Sequence, residues 1–129
     1  MSQTTSEQRT GTRYLASFLV KAEWDDESGH HFVAEGTTEN VGPEGALIHL
    51  QRNLPSVGCR VNLQVLGDHG EKLNVVTEVL RLERNAAHPL AALQLIDAQN
   101  EWRGIVWEAA ATQVRQQSSE TYVDDDFSH

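Results

Sequence analysis

The chain has 129 residues, of which 39% are hydrophobic and 22% charged, with a net charge of −9 and a single cysteine. That length suits one domain with its own core. The acidic balance argues against a surface for nucleic-acid polymers or anionic membranes, and one cysteine cannot make an internal disulfide.

Residues 1–12 are rich in Ser, Thr, Gln and Glu and read as a mobile arm. From Tyr14 to Trp24 the pattern alternates. Phe18, Val20, Ala22 and Trp24 share one face and Ser17, Lys21 and Glu23 the other, as in a half-buried strand. Asp25 to Gly29 is a polar turn. His30 to Val41 reads as a second strand, with Gly36 marking a bulge or a close backbone approach. Gly42-Pro43-Glu44-Gly45 is a turn in which Pro43 fixes φ and either glycine can supply a positive φ. Ala46 to Leu50 is a short strand, and Pro55 and Gly58 bracket the next turn. Val61, Leu63 and Val65 alternate with polar residues in a fourth strand, which Gly67-Asp68-His69-Gly70 connects as a hairpin loop. Leu73 to Glu83 is a long strand whose apolar phase slips near Thr77, the mark of a bulge. Leu90 to Ile96 is the last strand.

The period then changes. Trp102, Ile105, Val106, Ala109 and Ala110 fall on one face of an amphipathic helix, with Asp97 as its N-cap. Trp107 lies outside that stripe and is the best candidate for an exposed contact. From Thr112 the chain is polar and ends in an acidic run, read as a disordered tail over 112–129. Six strands and one closing helix predict a mainly β fold: a six-stranded antiparallel barrel with a C-terminal α-helix, spanning residues 13–111. No apolar run approaches the ~20 residues of a membrane-spanning helix, and residues 1–13 carry no signal-peptide core. A cytoplasmic location is expected.

The residues best suited to ligand chemistry are Arg9 and Arg13, four apart at the entry to the first strand. Guanidinium is planar, always charged and weakly hydrated, so it grips phosphate or a guanine edge in bidentate fashion and stacks on purines. Such local charge can hold a small anion despite the net charge, because distant charge is screened beyond about 10 Å. Other constellations are weak. The six histidines show no metal-ligand spacing, Cys59 has no CxxC partner, and no nucleophile–base set stands out.

Arg9-x-x-x-Arg13 followed by Asn40-Val41-Gly42-Pro43-Glu44-Gly45 resembles the PilZ domain, a bacterial β-barrel family that binds the second messenger cyclic di-GMP. The family signature is RxxxR, then Asp or Asn, any residue, Ser, two residues and Gly. Arg9, Arg13, Asn40 and Gly45 match it, and the likeness extends over roughly residues 7–97. Two positions depart. The family serine falls on Gly42, which removes a hydroxyl hydrogen bond of about 0.5–1.5 kcal/mol, or roughly 2- to 10-fold in affinity. Ala92 stands where the family often has glycine, narrowing the space beside the pocket.

The resemblance implies a cyclic di-GMP site of Arg9, Arg13, Asn40, Gly42 and Gly45. The arginines would grip phosphate and guanine, Asn40 would bond a guanine edge, and Gly45 would let the backbone turn beside the ligand. It implies no cofactor or metal, no enzymatic activity, an unidentified protein partner, and a monomer or weak dimer in second-messenger signalling. An adaptor that has lost the nucleotide and acts through protein contacts alone is the alternative, for which Gly42 speaks.

Overall fold

In the computed structural model, which describes residues 12–67 and 70–116, six antiparallel strands close into a barrel. They are β1 (Leu19–Asp25), β2 (His31–Gly42), β3 (Gly45–Leu50), β4 (Arg60–Gly67), β5 (Gly70–Glu83) and β6 (Leu90–Leu95). Around the barrel they run β1-β2-β3-β6-β5-β4. The alternation in the sequence decides which side chains enter. Val20 and Ala22 of β1, Ile48 of β3, Leu63 of β4, Val75 of β5 and Leu93 of β6 all lie in the core. Each fully buried aliphatic side chain contributes roughly 1.5–3 kcal/mol. The fold class read from the sequence is the one observed.

The irregularities lie elsewhere than expected. Gly36 is no bulge but a point of close approach: a Cβ there would lie 1.9 Å from the His49 carbonyl oxygen on β3. The extra residue in β2 is Glu39, between Thr38 paired with Ile48 and Asn40 paired with Leu47. The slip in β5 is not at Thr77, which points inward and donates its hydroxyl to the Val61 carbonyl at 2.8 Å. A hydroxyl with a backbone acceptor keeps the inward phase intact, and the β5–β6 register shifts three residues later, at Leu80.

The first strand begins at Leu19 rather than at Tyr14. Tyr14 instead makes an isolated bridge to Val41, with its N–H donating to the Val41 carbonyl and the Val41 N–H to the Tyr14 carbonyl, both at 2.9 Å. Thr38 fastens the following residues. Its hydroxyl donates to the Ala16 carbonyl at 2.6 Å and accepts from the Phe18 N–H at 2.8 Å. Segment 14–18 is thereby bound along the end of β2.

Helix α1 covers 99–116 and contains a π-turn at Arg103–Trp107. It continues five residues past the boundary expected at 111. Asp97 is not its cap. Ala98 holds that position with a left-handed φ of 59° and no capping side chain, while Asp97 Oδ1 accepts the Val76 N–H at 3.1 Å and ties the helix entrance to β5. The π-turn also rewrites the helical stripe. In a regular α-helix, at 100° per residue, residues five apart point about 140° from each other. A π-turn absorbs one residue and brings them within about 40°. Trp102 and Trp107 therefore face the same side. Trp102, Val106 and Ala110 are buried under the barrel end, whereas Ile105, expected inside, is 36% exposed. Residues 1–11 of the expected arm, Asp68 and His69 of the hairpin loop, and residues 117–129 of the expected tail lie outside the described residues.

Candidate functional site

The site begins with the anchoring of Arg13. The Tyr14–Val41 bridge sets the preceding residue beside the end of β2, and Arg13 Nη1 donates to Asn40 Oδ1 at 2.8 Å. Its guanidinium lies over Gly42: an added Cβ there would be 3.3 Å from Arg13 Cζ and Nη1. Asn40 owes its outward orientation to the Glu39 bulge. Thr38 is buried, so strict alternation would turn residue 40 inward as well. The extra residue flips it to the outer surface, where it pairs with Leu47.

The Gly42–Gly45 turn differs from expectation in mechanism. Among the described residues the positive-φ glycines are Gly29, Gly58 and Gly70, so neither glycine of this turn is used for left-handed backbone. Gly45 is required by packing. A Cβ there would lie 2.1 Å from the Leu93 carbonyl oxygen, so only hydrogen fits where β3 meets β6.

Helix α1 holds both segments of the site. The buried Trp102 indole donates to the Gly42 carbonyl at 2.8 Å. The Trp107 indole donates to the Thr12 carbonyl at 3.1 Å, and its ring lies 6.0 Å from that of Tyr14. Trp107 is thus only partly exposed and faces the chain segment that carries Arg13, which corrects its reading as a free contact residue. Gln113 adds a third tie, accepting the Ser17 N–H at 2.9 Å. On the outer side of the turn, Arg103 Nη2 donates to Glu44 Oε2 at 3.3 Å.

Across the outer face of the barrel, register places Asn40, Leu47, Ala92 and Arg81 in one row over β2, β3, β6 and β5. Arg81 was not among the residues singled out in the sequence. It reaches this row by the same device as Asn40: Val79 is buried, and the extra residue Leu80 turns the next side chain outward. The signal was present in the spacing Val75, Thr77, Val79, Leu82, whose last step is three residues instead of two. The pKa of Arg13 is lowered from its ordinary value, first by burial of its guanidinium against the turn and then by the positive charge of Arg81. Arg13 is exposed as a whole residue, so this burial is local to the guanidinium. Its charge remains, since guanidinium does not deprotonate in proteins.

Arg13, Asn40, Gly42 and Gly45 are therefore brought together, while Arg9 lies outside the described residues. A cavity of about 530 Å³ lies at the other end of β2, lined by Trp24, Asp25, Phe32, Leu54, Cys59 and Arg60. Burial and the nearby Asp25 carboxylate push the Cys59 thiol up, which disfavours the thiolate. Arg13, Asn40, Gly42 and Gly45 do not line it. Among the described residues no group of three or more His, Cys, Asp or Glu is arranged to hold a metal ion.

Comparison with solved structures gives matches over most of the chain. The PilZ domain with c-di-GMP of YcgR from Escherichia coli superposes with a TM-score of 0.64 at 10% identity, over 89% of this chain and 97% of that one. The fold is that of a PilZ domain. YcgR in complex with c-di-GMP, also from Escherichia coli, gives a TM-score of 0.64 at 12% identity over 88% of this chain. The inhibitor of motility MotI/DgrA of Bacillus subtilis gives 0.59 at 14% identity over 84% of this chain. The PilZ-like barrel spans 50% and 52% of those two chains, respectively. No protein-family model matches the sequence, and neither does any curated protein. No helix among the described residues is long and apolar enough to cross a membrane.

Proposed function

We propose that this PilZ-like domain is a cyclic di-GMP receptor that alters its surface on binding and thereby regulates a protein partner. The observation that carries the reading is the convergence of Arg13, Asn40 and the Gly42–Gly45 turn from distant parts of the chain onto one outer patch. The c-di-GMP named with the YcgR structures supports the choice of ligand. Arg13 supplies the charged fork for phosphate or a guanine edge. Asn40, which accepts from Arg13 in the free protein, offers a further donor and acceptor to a base. Arg9 completes the clamp from the preceding residues. The same patch is wired to helix α1 through the Gly42 and Thr12 carbonyls, so movement of either segment is felt by the helix. In this reading the domain is a binding module without catalytic chemistry, acting in the cytoplasm.

The test is a titration with cyclic di-GMP followed by backbone amide NMR shifts. We expect shifts concentrated at Thr12–Tyr14 and Asn40–Gly45, with smaller ones at Trp102 and Trp107. Absence of any shift at millimolar nucleotide would refute the receptor reading. It would leave the adaptor that works through protein contacts alone, which Gly42 in place of serine favours.

Gly42→Ser gives a gain-of-function check. Gly42 has no positive φ, and a Cβ there would meet only the Arg13 side chain, Cζ and Nη1 at 3.3 Å and Cγ at 3.4 Å, so the substitution requires that side chain to give by a few tenths of an ångström. The added hydroxyl is expected to tighten cyclic di-GMP binding about 2- to 10-fold. Calorimetry showing equal affinity in both proteins would mean that this position does not face the ligand.

A further inference from the structure

We infer that Arg81 is a further nucleotide-binding residue, the counterpart of Arg13 at the far side of one ligand platform. The inference rests on the proposed cyclic di-GMP site and extends it to a residue outside the RxxxR and Asn40–Gly45 segments. Its basis is two of the three bulges among the described strands, the third, at Lys72 of β5 beside the β4–β5 turn, lying off this row. Glu39 in β2 and Leu80 in β5 are each a single extra residue directly after a buried one. Each turns outward a polar side chain that alternation would have buried, and both outcomes land in the same cross-strand row. One bulge is accounted for by barrel curvature. Two that converge on the same row serve the face they share.

The chemistry of the row fits a two-ended anion. Its middle, Leu47 and Ala92, is apolar, and Ala92 is only 7% exposed although its row faces outward. An apolar floor accepts the face of a purine. Guanidinium groups stand at the two ends. The backbones of β2 and β5 are three strand spacings apart, roughly 14 Å, a width that two long side chains can close from opposite sides. Among the described residues no carboxylate pairs with Arg13, whose Nη1 partner is the neutral Asn40. Two like charges facing one platform repel each other when it is empty, and a ligand with two phosphates relieves the repulsion. Arg81 is held meanwhile by Glu83, with Nη2 to Oε2 at 3.1 Å and the arginine side chain 63% exposed. An ion pair so exposed is weak and yields to a better anion.

The experiment measures cyclic di-GMP affinity of the full chain by calorimetry in six proteins: wild type, Arg81→Ala, Arg81→Lys, Glu83→Gln, the double variant Arg81→Ala/Glu83→Gln, and Arg13→Ala. Arg81→Ala is expected to lose on the order of ten-fold in affinity, and Arg81→Lys to recover only part of it, since lysine lacks the bidentate fork. Glu83→Gln is expected to bind more tightly than wild type by freeing Arg81, and to lose that gain in the double variant. Melting of the free Arg81→Ala protein should match wild type, because the pair is exposed. If that variant fails to fold, the gain in Glu83→Gln carries the test. Wild-type affinity in Arg81→Ala, with binding abolished in Arg13→Ala, would overturn the inference and leave the nucleotide reading standing. Failure of the wild-type protein to bind would overturn both.

Discussion

Arg13→Ala is expected to abolish cyclic di-GMP binding, a loss of at least roughly 100-fold, while leaving the free protein as stable as before. The two halves have separate causes. Hydrogen bonds to a charged group are worth about 1.5–3 kcal/mol each, and a guanidinium fork makes two of them. Among the described residues the Arg13 side chain makes one exposed hydrogen bond, to Asn40, and surface substitutions of this kind stay within about 0.5 kcal/mol. The backbone ties of the neighbouring Tyr14 to Val41 do not depend on the arginine side chain and should survive. Thermal melting with and without nucleotide reads both quantities: an unchanged free Tm and no ligand-induced rise. A variant that still gains stability from the nucleotide would remove Arg13 from the site.

The largest effect on stability is expected at Trp102. It is a fully buried side chain under the barrel end, in one cluster with Val106, Ala110 and the strand residues. Truncating a buried tryptophan to alanine costs about 3–5 kcal/mol through lost transfer energy and the cavity left behind. Domains of this size are stable by only about 5–15 kcal/mol, so Trp102→Ala should lower the Tm by on the order of 15 °C or prevent folding. Trp102→Phe separates packing from wiring. It keeps most of the ring but removes the donor to the Gly42 carbonyl, at about 1 kcal/mol. If that bond steadies the turn, Trp102→Phe should also weaken cyclic di-GMP binding by several-fold. Binding equal to wild type in a folded Trp102→Phe protein would show that the helix supports the barrel without acting on the turn.

The elements of the fold were legible because burial alone decides them. Val61-Leu63-Val65 can only be a half-buried strand, and the change to helical spacing after residue 97 ends the barrel. Single-residue insertions in register were legible only in part: the apolar phase announced a bulge in β5 but set it near Thr77, three residues before Leu80, and nothing announced Glu39. Glu39 and Leu80 are ordinary residues, and a bulge has no local composition when neither glycine nor proline is needed to make it. Gly36 drew attention instead, although its hydrogen serves contact with the His49 carbonyl. The π-turn escaped for a related reason. Helical periodicity assumes a constant angle per residue, so one inserted residue exchanged the fates of Ile105 and Trp107. Asp97 has the composition of a cap, but the Val76 N–H claims its carboxylate. Of the candidate site, Arg13, Asn40, Gly42 and Gly45 were legible as a spaced motif. Arg81 was not, since only register across three strand pairs brings it into line with Asn40.

Closure of the barrel also limits how such a domain can signal. Every strand from β1 to β6 has a hydrogen-bonded neighbour on each side, so among the described strands unpaired ladder is left only on overhangs such as His31–Glu35 of β2, which pairs with β1 alone. The helix is the other route, and its ties to the patch are the two indoles, with Gln113 to Ser17 and Arg103 to Glu44 beside them. A binding event at the arginine patch would then be broadcast by tilting a preformed lever, and mutations that disconnect it should diminish the response even at saturating nucleotide.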